Sequence, residues 1–303
     1  MKDLVGIKEL SREEIEEILS TVKAFKEVLQ RDIKKVPTLR GKTAINLFFE
    51  PSTRTRTSFE LAEKRLSLDV LNFSVKASSV VKGETLYDTL KTIEAYNVDY
   101  IVIRHPSSGS AKFVAQNTSA SVINAGDGIN EHPTQALLDA FSILEVKERL
   151  DGLKIAIVGD IIHSRVARSN LYLLSKFDTE IHFVGPPTFL PIDAPDNVKI
   201  FYNLKEGIKN TDVVMLLRIQ LERQKGAFIP SLREYSHVWG LTRESFSYIK
   251  DDAIIMHPGP MNRGVEISTE VADSSRSIIL RQVTNGIATR MAVIYLLTPQ
   301  MEV

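Results

Sequence analysis

An α/β fold with two doubly wound parallel-sheet domains joined by helices follows from three features of the sequence. Short apolar runs of strand length alternate with segments of helical spacing, the pattern of a parallel sheet covered on both faces. The alternation runs twice, restarting at Leu153-Lys-Ile-Ala-Ile-Val158, and 303 residues suffice for two cores. Polar and charged clusters fall directly after the apolar runs, at the strand ends where open α/β sheets bind ligands.

The first element is an amphipathic helix through about Gln30, opened by the capping-box sequence Ser11-Arg-Glu-Glu14 and read as structural. Thr43–Phe49 is a strand leading to a helix after Thr55, and Val70–Val75 a strand followed by a helix from Thr85 to Asn97. Tyr100–Arg104 precedes a helix after Ser110, and Val122–Ala125 precedes a helix from Pro133 to about Arg149. The second series begins at Leu153 and has further strands at Glu180–Val184, Val198–Phe201, Asp212–Leu217 and Ala253–Met256. A last helix, Ile287–Leu297, lies beyond it. The resulting boundaries are 1–134 for the first domain, with 286–303 packing back on it, and 135–285 for the second.

Composition narrows the function classes. Hydrophobic residues make up 43% and charged residues 25%, ordinary values for a globular protein, and no apolar run approaches bilayer-spanning length, so no membrane partner is expected. Lys plus Arg and Asp plus Glu number 38 each, which leaves no overall field to gather nucleic acid. Any electropositive site is local. The absence of cysteine removes disulfides, thiolate metal sites and cysteine nucleophiles together. With a Met-Lys-Asp-Leu start that lacks a secretory pattern, it fits a cytoplasmic location. The six histidines show no paired ligand spacing, so no metal is expected.

The most informative stretch is Phe48-Phe-Glu-Pro-Ser-Thr-Arg-Thr-Arg-Thr-Ser-Phe59, at the join of a strand and a helix. Unpaired backbone N–H groups and the positive end of the helix dipole favour an anion there, and Ser52, Thr53, Arg54 and Thr55 add hydroxyls and a guanidinium. A helix cap needs only one hydroxyl, whereas Ser52–Thr57 alternates four with two arginines. Other polar groups fall at further strand ends: Arg104-His-Pro106, His132-Pro-Thr-Gln135, Asp160 to Arg165, Arg218-Ile-Gln220 and His257-Pro-Gly-Pro260. His132 alone reads as a satisfied loop residue, and only its company suggests more.

These segments, with Lys82-Gly-Glu-Thr85 and Asn285-Gly286, occur in the order found in the aspartate/ornithine transcarbamoylases. The chain resembles that superfamily, and most closely its aspartate carbamoyltransferase catalytic chains, over residues 48 to 291. The resemblance implies transfer of a carbamoyl group from carbamoyl phosphate to L-aspartate in pyrimidine biosynthesis, with no cofactor. Chemistry of this kind suits the residue types. An amine attacks the carbamoyl carbon, charge grows on the carbonyl oxygen, and phosphate departs as an anion that fixed cations stabilise.

By motif position, the resemblance implies that Ser52, Thr53, Arg54 and Thr55 hold the phosphate and that Arg104 bridges phosphate and carbonyl oxygen. Thr55, Arg104 and His132 stabilise the oxyanion, while Gln135 and the carbonyls of Gly259 and Pro260 meet the carbamoyl NH2. The acceptor's two carboxylates call for two arginine forks, and Arg165 and Arg218 fill that role with Gln220 beside the second. Ser78-Ser-Val-Val-Lys82 reads by itself as a connector. In the family, the matching serine and lysine enter a neighbouring subunit's site, which implies a homotrimer with Ser78 and Lys82 contributed across its interfaces. The catalytic set is then Arg54, Thr55, Lys82, Arg104 and His132, and Lys82 faces both substrates. Family members work as bare trimers, with regulatory chains or joined to dihydroorotase, and the sequence does not choose among these partners.

One departure stands out: Gly259 replaces the leucine of many aspartate enzymes, which leaves the backbone carbonyls in place and gives the loop more freedom. Three rival readings are weaker. The ornithine branch typically carries His-Cys-Leu-Pro where this chain has His257-Pro-Gly-Pro260. A dinucleotide-binding oxidoreductase lacks its glycine pattern, because Asp160-Ile-Ile-His-Ser164 follows Gly159. A non-catalytic phosphate-binding relative would be expected to lose groups around the carbonyl, and Thr55, Lys82, Arg104, His132 and Gln135 all remain.

Overall fold

The computed structural model describes residues 1–74, 83–220 and 228–298. Its contacts divide the chain into two units, Met1–Leu138 with Thr284–Val303, and Asp139–Val283.

The first unit opens with α1 (Arg12–Gln30), whose Ser11 and Glu14 form a reciprocal capping box. It continues with β1 (Thr43–Phe48), α2 (Thr53–Arg65), β2 (Asp69–Ser74), α3 (Leu86–Glu94), β3 (Tyr100–His105), α4 (Ser110–Gln116) and β4 (Ser121–Asp127). All three strand pairings are parallel and the order is β2-β1-β3-β4. Ile45, Leu47, Ile101, Ile103 and Val122 pack against Leu90, Ile93 and Val114, so apolar strands are covered by apolar helix faces. The chain leaves β1 toward one sheet edge and β3 toward the other, so a topological switch lies between these neighbours.

The second unit follows α5 (Pro133–Lys147), a helix that contributes to both units. It holds β5 (Leu153–Val158), α6 (Arg165–Leu174), β6 (Thr179–Val184), β7 (Val198–Phe201), α7 (Leu204–Gly207), β8 (Val213–Leu216), α8 (Leu232–Trp239), β9 (Ile254–Met256) and α9 (Thr269–Ala272). Its parallel sheet has the order β7-β6-β5-β8-β9, which puts the switch between β5 and β8. Gly159 turns the chain at that point with φ +126°, and a Cβ there would stand 2.8 Å from the Leu217 carbonyl oxygen.

Helix α10 (Ile279–Leu296) starts before Ile287, the sequence-based start, and carries Asn285 and Gly286 in its interior. Gly286 acts here as a packing residue, since an added Cβ would meet Arg290 Nη1 at 2.6 Å and Leu138 at 3.3 Å. Farther along, Arg290 Nη1 donates to Ser58 Oγ at 3.1 Å and its guanidinium lies 4.8 Å from the Phe59 ring centroid, bracing α2. Helix α8 was not foreseen, although Ser231 accepts from the Glu234 N–H, a cap whose sequence signature is visible.

Candidate active site

At the first switch, residues 49–52 link β1 to α2, which has no acidic residue in its first turn, so the positive end of its dipole is not neutralised from within the helix. Ser52 is the N-cap residue, yet its side chain makes no capping hydrogen bond. Thr53 and Arg54 are exposed, while Ser52 and Thr55 are half-buried. This chemistry differs from ordinary capping, in which the hydroxyl is spent on the helix's own amide.

Arg104 reaches this turn from β3. Its Nε donates to Glu50 Oε2 at 3.1 Å, and Nη1 donates to Thr55 Oγ1 at 3.5 Å and to the Ala125 carbonyl at 3.4 Å. The side chains of Arg104 and Glu50 are 15% and 20% exposed, so the guanidinium is held at the end of its strand with a limited opening to solvent. Next to it, burial holds the His105 imidazole below its ordinary pKa, and His105 Nδ1 accepts the Ser107 N–H at 3.0 Å. His105 is therefore a neutral structural neighbour of the cation.

His132 and Gln135 stand one turn apart at the start of α5, with the Gln135 N–H donating to the His132 carbonyl at 3.0 Å, and both side chains are buried. Their loop is fixed by carboxylates that sequence reasoning missed. Asp127 accepts from Asn124 Nδ2 at 2.8 Å, from the Gly109 N–H at 2.6 Å and from the Glu131 N–H at 3.1 Å. Glu131 in turn accepts the Ile7 N–H at 2.8 Å across 124 residues of sequence, a pairing that no local signal announces.

At the second switch, Arg165 is the first residue of α6, behind an N-cap Ser164 that accepts the Ala167 N–H at 3.2 Å. It is only 2% exposed, which excludes a solvated helix start. Asp160 is fully buried and ties this turn to the strand across the switch. Its carboxylate contacts His163 Nδ1 at 2.7 Å and accepts the Gln220 N–H at 3.1 Å, while Gln220 Nε2 donates to the Arg218 carbonyl at 3.1 Å. Asp160 thus joins the turn before Arg165, which opens α6, to the segment after β8 that carries Arg218 and Gln220. Tyr235 lies beneath them, where burial and the Glu266 and Asp160 carboxylates push its phenol well above the ordinary value.

The loop after β9 contains Gly259 at φ +70°, a left-handed conformation that suits glycine and strains leucine. Its N–H donates to His257 Nδ1 at 2.8 Å, so the glycine is anchored despite its intrinsic freedom. Ser78 and Lys82 lie outside the described residues. Among the described residues, no group of three or more His, Cys, Asp or Glu could hold a metal ion, and no helix is long and apolar enough to cross a membrane.

Comparisons with known proteins match both halves of the chain. The aspartate/ornithine carbamoyltransferase carbamoyl-P binding domain matches residues 2–145, and the Asp/Orn binding domain of the same family matches residues 151–297. The aspartate carbamoyltransferase catalytic subunit of Endomicrobium trichonymphae is 54% identical over 99% of this chain and 96% of its own length. That of Syntrophomonas wolfei is 57% identical over 98% and 95%. Among solved structures, the aspartate transcarbamoylase of Trypanosoma cruzi, in complex with carbamoyl phosphate or with carbamoyl aspartate and phosphate, superposes with a TM-score of 0.89 at 31% identity, covering 97% of this chain and 95% of that one. With both domains matched and more than half of its residues shared with catalytic subunits across nearly their full length, the chain belongs to the aspartate/ornithine carbamoyltransferase family, as a catalytic chain of the aspartate carbamoyltransferases.

Proposed function

We infer that the chain transfers the carbamoyl group of carbamoyl phosphate to the amino group of L-aspartate, giving N-carbamoyl-L-aspartate and phosphate in pyrimidine biosynthesis. The observation that carries this reading is a cation set at each of two switch points: Arg54 and Arg104 at the end of β1 and β3, and Arg165 and Arg218 at the end of β5 and β8. One set matches a phosphate and the other a dicarboxylate. The Trypanosoma cruzi relative, solved with carbamoyl phosphate and with carbamoyl aspartate and phosphate, supports the same pair of ligands.

In this reading the first unit binds carbamoyl phosphate and the second binds aspartate. Ser52, Thr53, Arg54, Thr55 and the first amides of α2 hold the phosphate. The Glu50 carboxylate keeps Arg104 satisfied at 3.1 Å, and an incoming phosphate, with more charge to offer, competes for that guanidinium. Arg104, Thr55 and His132 then face the carbonyl oxygen, while Gln135 and the carbonyls of Gly259 and Pro260 accept from the carbamoyl NH2. Arg165, Arg218 and Gln220 orient the aspartate. The neutral amine forms the new C–N bond as the C–O bond to phosphate breaks, and its proton leaves with the phosphate, so no side chain is assigned as an obligatory base. The donor is already an activated mixed anhydride, and the reaction calls for neither cofactor nor metal.

The assembly in this reading is a cytoplasmic homotrimer in which Ser78 and Lys82 complete a neighbour's site, alone or joined to regulatory chains or dihydroorotase. Sedimentation of the purified protein tests it: three copies are expected, and an active monomer refutes shared sites. The function is tested by supplying the purified protein with carbamoyl phosphate and either aspartate or ornithine. Carbamoyl aspartate is the expected product, and turnover with ornithine alone would overturn the assignment.

A further inference from the structure

The loop that carries Gly259 and Pro260 is clasped by two buried side chains with no role in the chemistry above. Both ring nitrogens of His257 are engaged: Nδ1 accepts the Gly259 N–H at 2.8 Å, and Nε2 lies 3.0 Å from Glu266 Oε1. An N–H pointing at Nδ1 requires a bare nitrogen there, so the ring proton sits on Nε2 and donates to Glu266. The same Glu266 oxygen accepts the Asn262 N–H at 2.6 Å, so one carboxyl group grips the loop at both ends. The side chains of His257 and Glu266 are 0% and 1% exposed. Behind them, Gln282 Oε1 accepts the His257 N–H at 3.0 Å and Gln282 Nε2 donates to Asp139 Oδ1 at 2.8 Å, while Asn170 Nδ2 donates to Asp139 Oδ2 at 3.0 Å. Three helices therefore fix the backbone of His257, Glu266 fixes its ring, and the ring fixes the glycine.

We propose that His257 and Glu266 are positioning residues that aim the Gly259 and Pro260 carbonyls, and that this pair thereby sets the site's preference for a carbamoyl group over an acyl group without N–H donors. The inference rests on the reading that those carbonyls accept from the carbamoyl NH2. A site that desolvates two acceptors penalises a donor substrate carrying a methyl group in their place, and the penalty persists only while the carbonyls are held on target. Phosphate affinity belongs to the β1–α2 turn and is separate from the loop.

The test compares carbamoyl phosphate, acetyl phosphate and inorganic phosphate as ligands of the intact assembled protein, using wild type, His257→Gln, His257→Asn, Glu266→Ala and Glu266→Gln. Asparagine places an oxygen near the Nδ1 position and can keep the Gly259 contact; glutamine reaches toward Glu266 and cannot. His257→Gln and Glu266→Ala are expected to lower the carbamoyl-over-acetyl preference about tenfold or more, with inorganic phosphate binding unchanged. His257→Asn and Glu266→Gln, which keep an acceptor in place, are expected to retain most of the preference and serve if the harsher variants do not fold. An unchanged preference in all four variants overturns the inference, as does an equal loss of inorganic phosphate binding. Wild type binding carbamoyl and acetyl phosphate equally would instead refute the carbonyl contacts themselves, and the inference with them.

Discussion

Glu63 sits on α2, the helix whose first turn is proposed to hold the phosphate, and it is fully buried. Its Oε2 accepts Asn46 Nδ2 at 2.8 Å, but burial outweighs that bond and pushes the carboxyl up from 4.5 to about 7. Between these values the folded chain keeps a proton that the unfolded chain releases, so stability falls as pH rises through this window. The contribution is complete below pH 4.5 and lost above about 7; at 1.36 kcal/mol for each pKa unit the difference is about 3 kcal/mol. Glu63→Gln keeps an acceptor for Asn46 and removes the titration. Melting temperatures of the two proteins should agree near pH 5 and diverge by several degrees near pH 8, with the glutamine variant higher. A gap that stays constant from pH 5 to pH 8 would refute the assignment of a strained buried carboxyl on α2.

Other substitutions separate binding from folding. Ser52→Ala should weaken carbamoyl phosphate binding and leave the melting temperature unchanged, because the hydroxyl caps nothing; a loss of stability typical of a removed cap, about 1 kcal/mol, would restore the capping role. Arg54→Ala or His132→Ala should slow turnover by roughly a hundredfold or more, the effect of losing one donor to developing negative charge, while circular dichroism stays native. Near-normal turnover in either refutes its role. Arg218→Lys exchanges a bidentate fork for a point charge and should raise the aspartate KM about tenfold without altering carbamoyl phosphate affinity. A change in carbamoyl phosphate binding of the same size would place Arg218 in the wrong half-site.

The double α/β series was legible because the inner strands of the sheets are buried on both faces and stand out as short, largely apolar runs, as in Ala44–Phe48 and Ile155–Val158. The helix start at Thr53 was legible within two residues, and Thr53, Arg54 and Thr55 stood out because the residues that open the helix are also of the types expected to hold an anion. What sequence could not supply is the acidic scaffold: Glu50 on Arg104, Glu131 on the Ile7 amide, Asp160 on Gln220 and Glu266 on His257. Each joins segments through a fold-dependent contact, and a carboxylate in a loop looks the same whether it is solvated or buried. The start of the last helix was placed at Ile287 for a related reason, since a glycine inside a helix that admits neighbouring side chains, as Gly286 admits Arg290 and Leu138, cannot be told in the sequence from one that interrupts it. Arg165 was placed by its company at a strand end, but its nearly complete burial could only be seen once Ser164 and α6 were in position.

In the proposed reaction the cations of both switch points act on one donor–acceptor pair. Calorimetric titration of the assembled protein with a single molecule joining a phosphonate to a four-carbon dicarboxylate tests this most directly. Binding is expected to be at least about a hundredfold tighter than that of carbamoyl phosphate or the dicarboxylate alone, with a loss of affinity in both Arg54→Ala and Arg218→Lys. An affinity no better than that of the separate fragments, or one indifferent to either substitution, would contradict it.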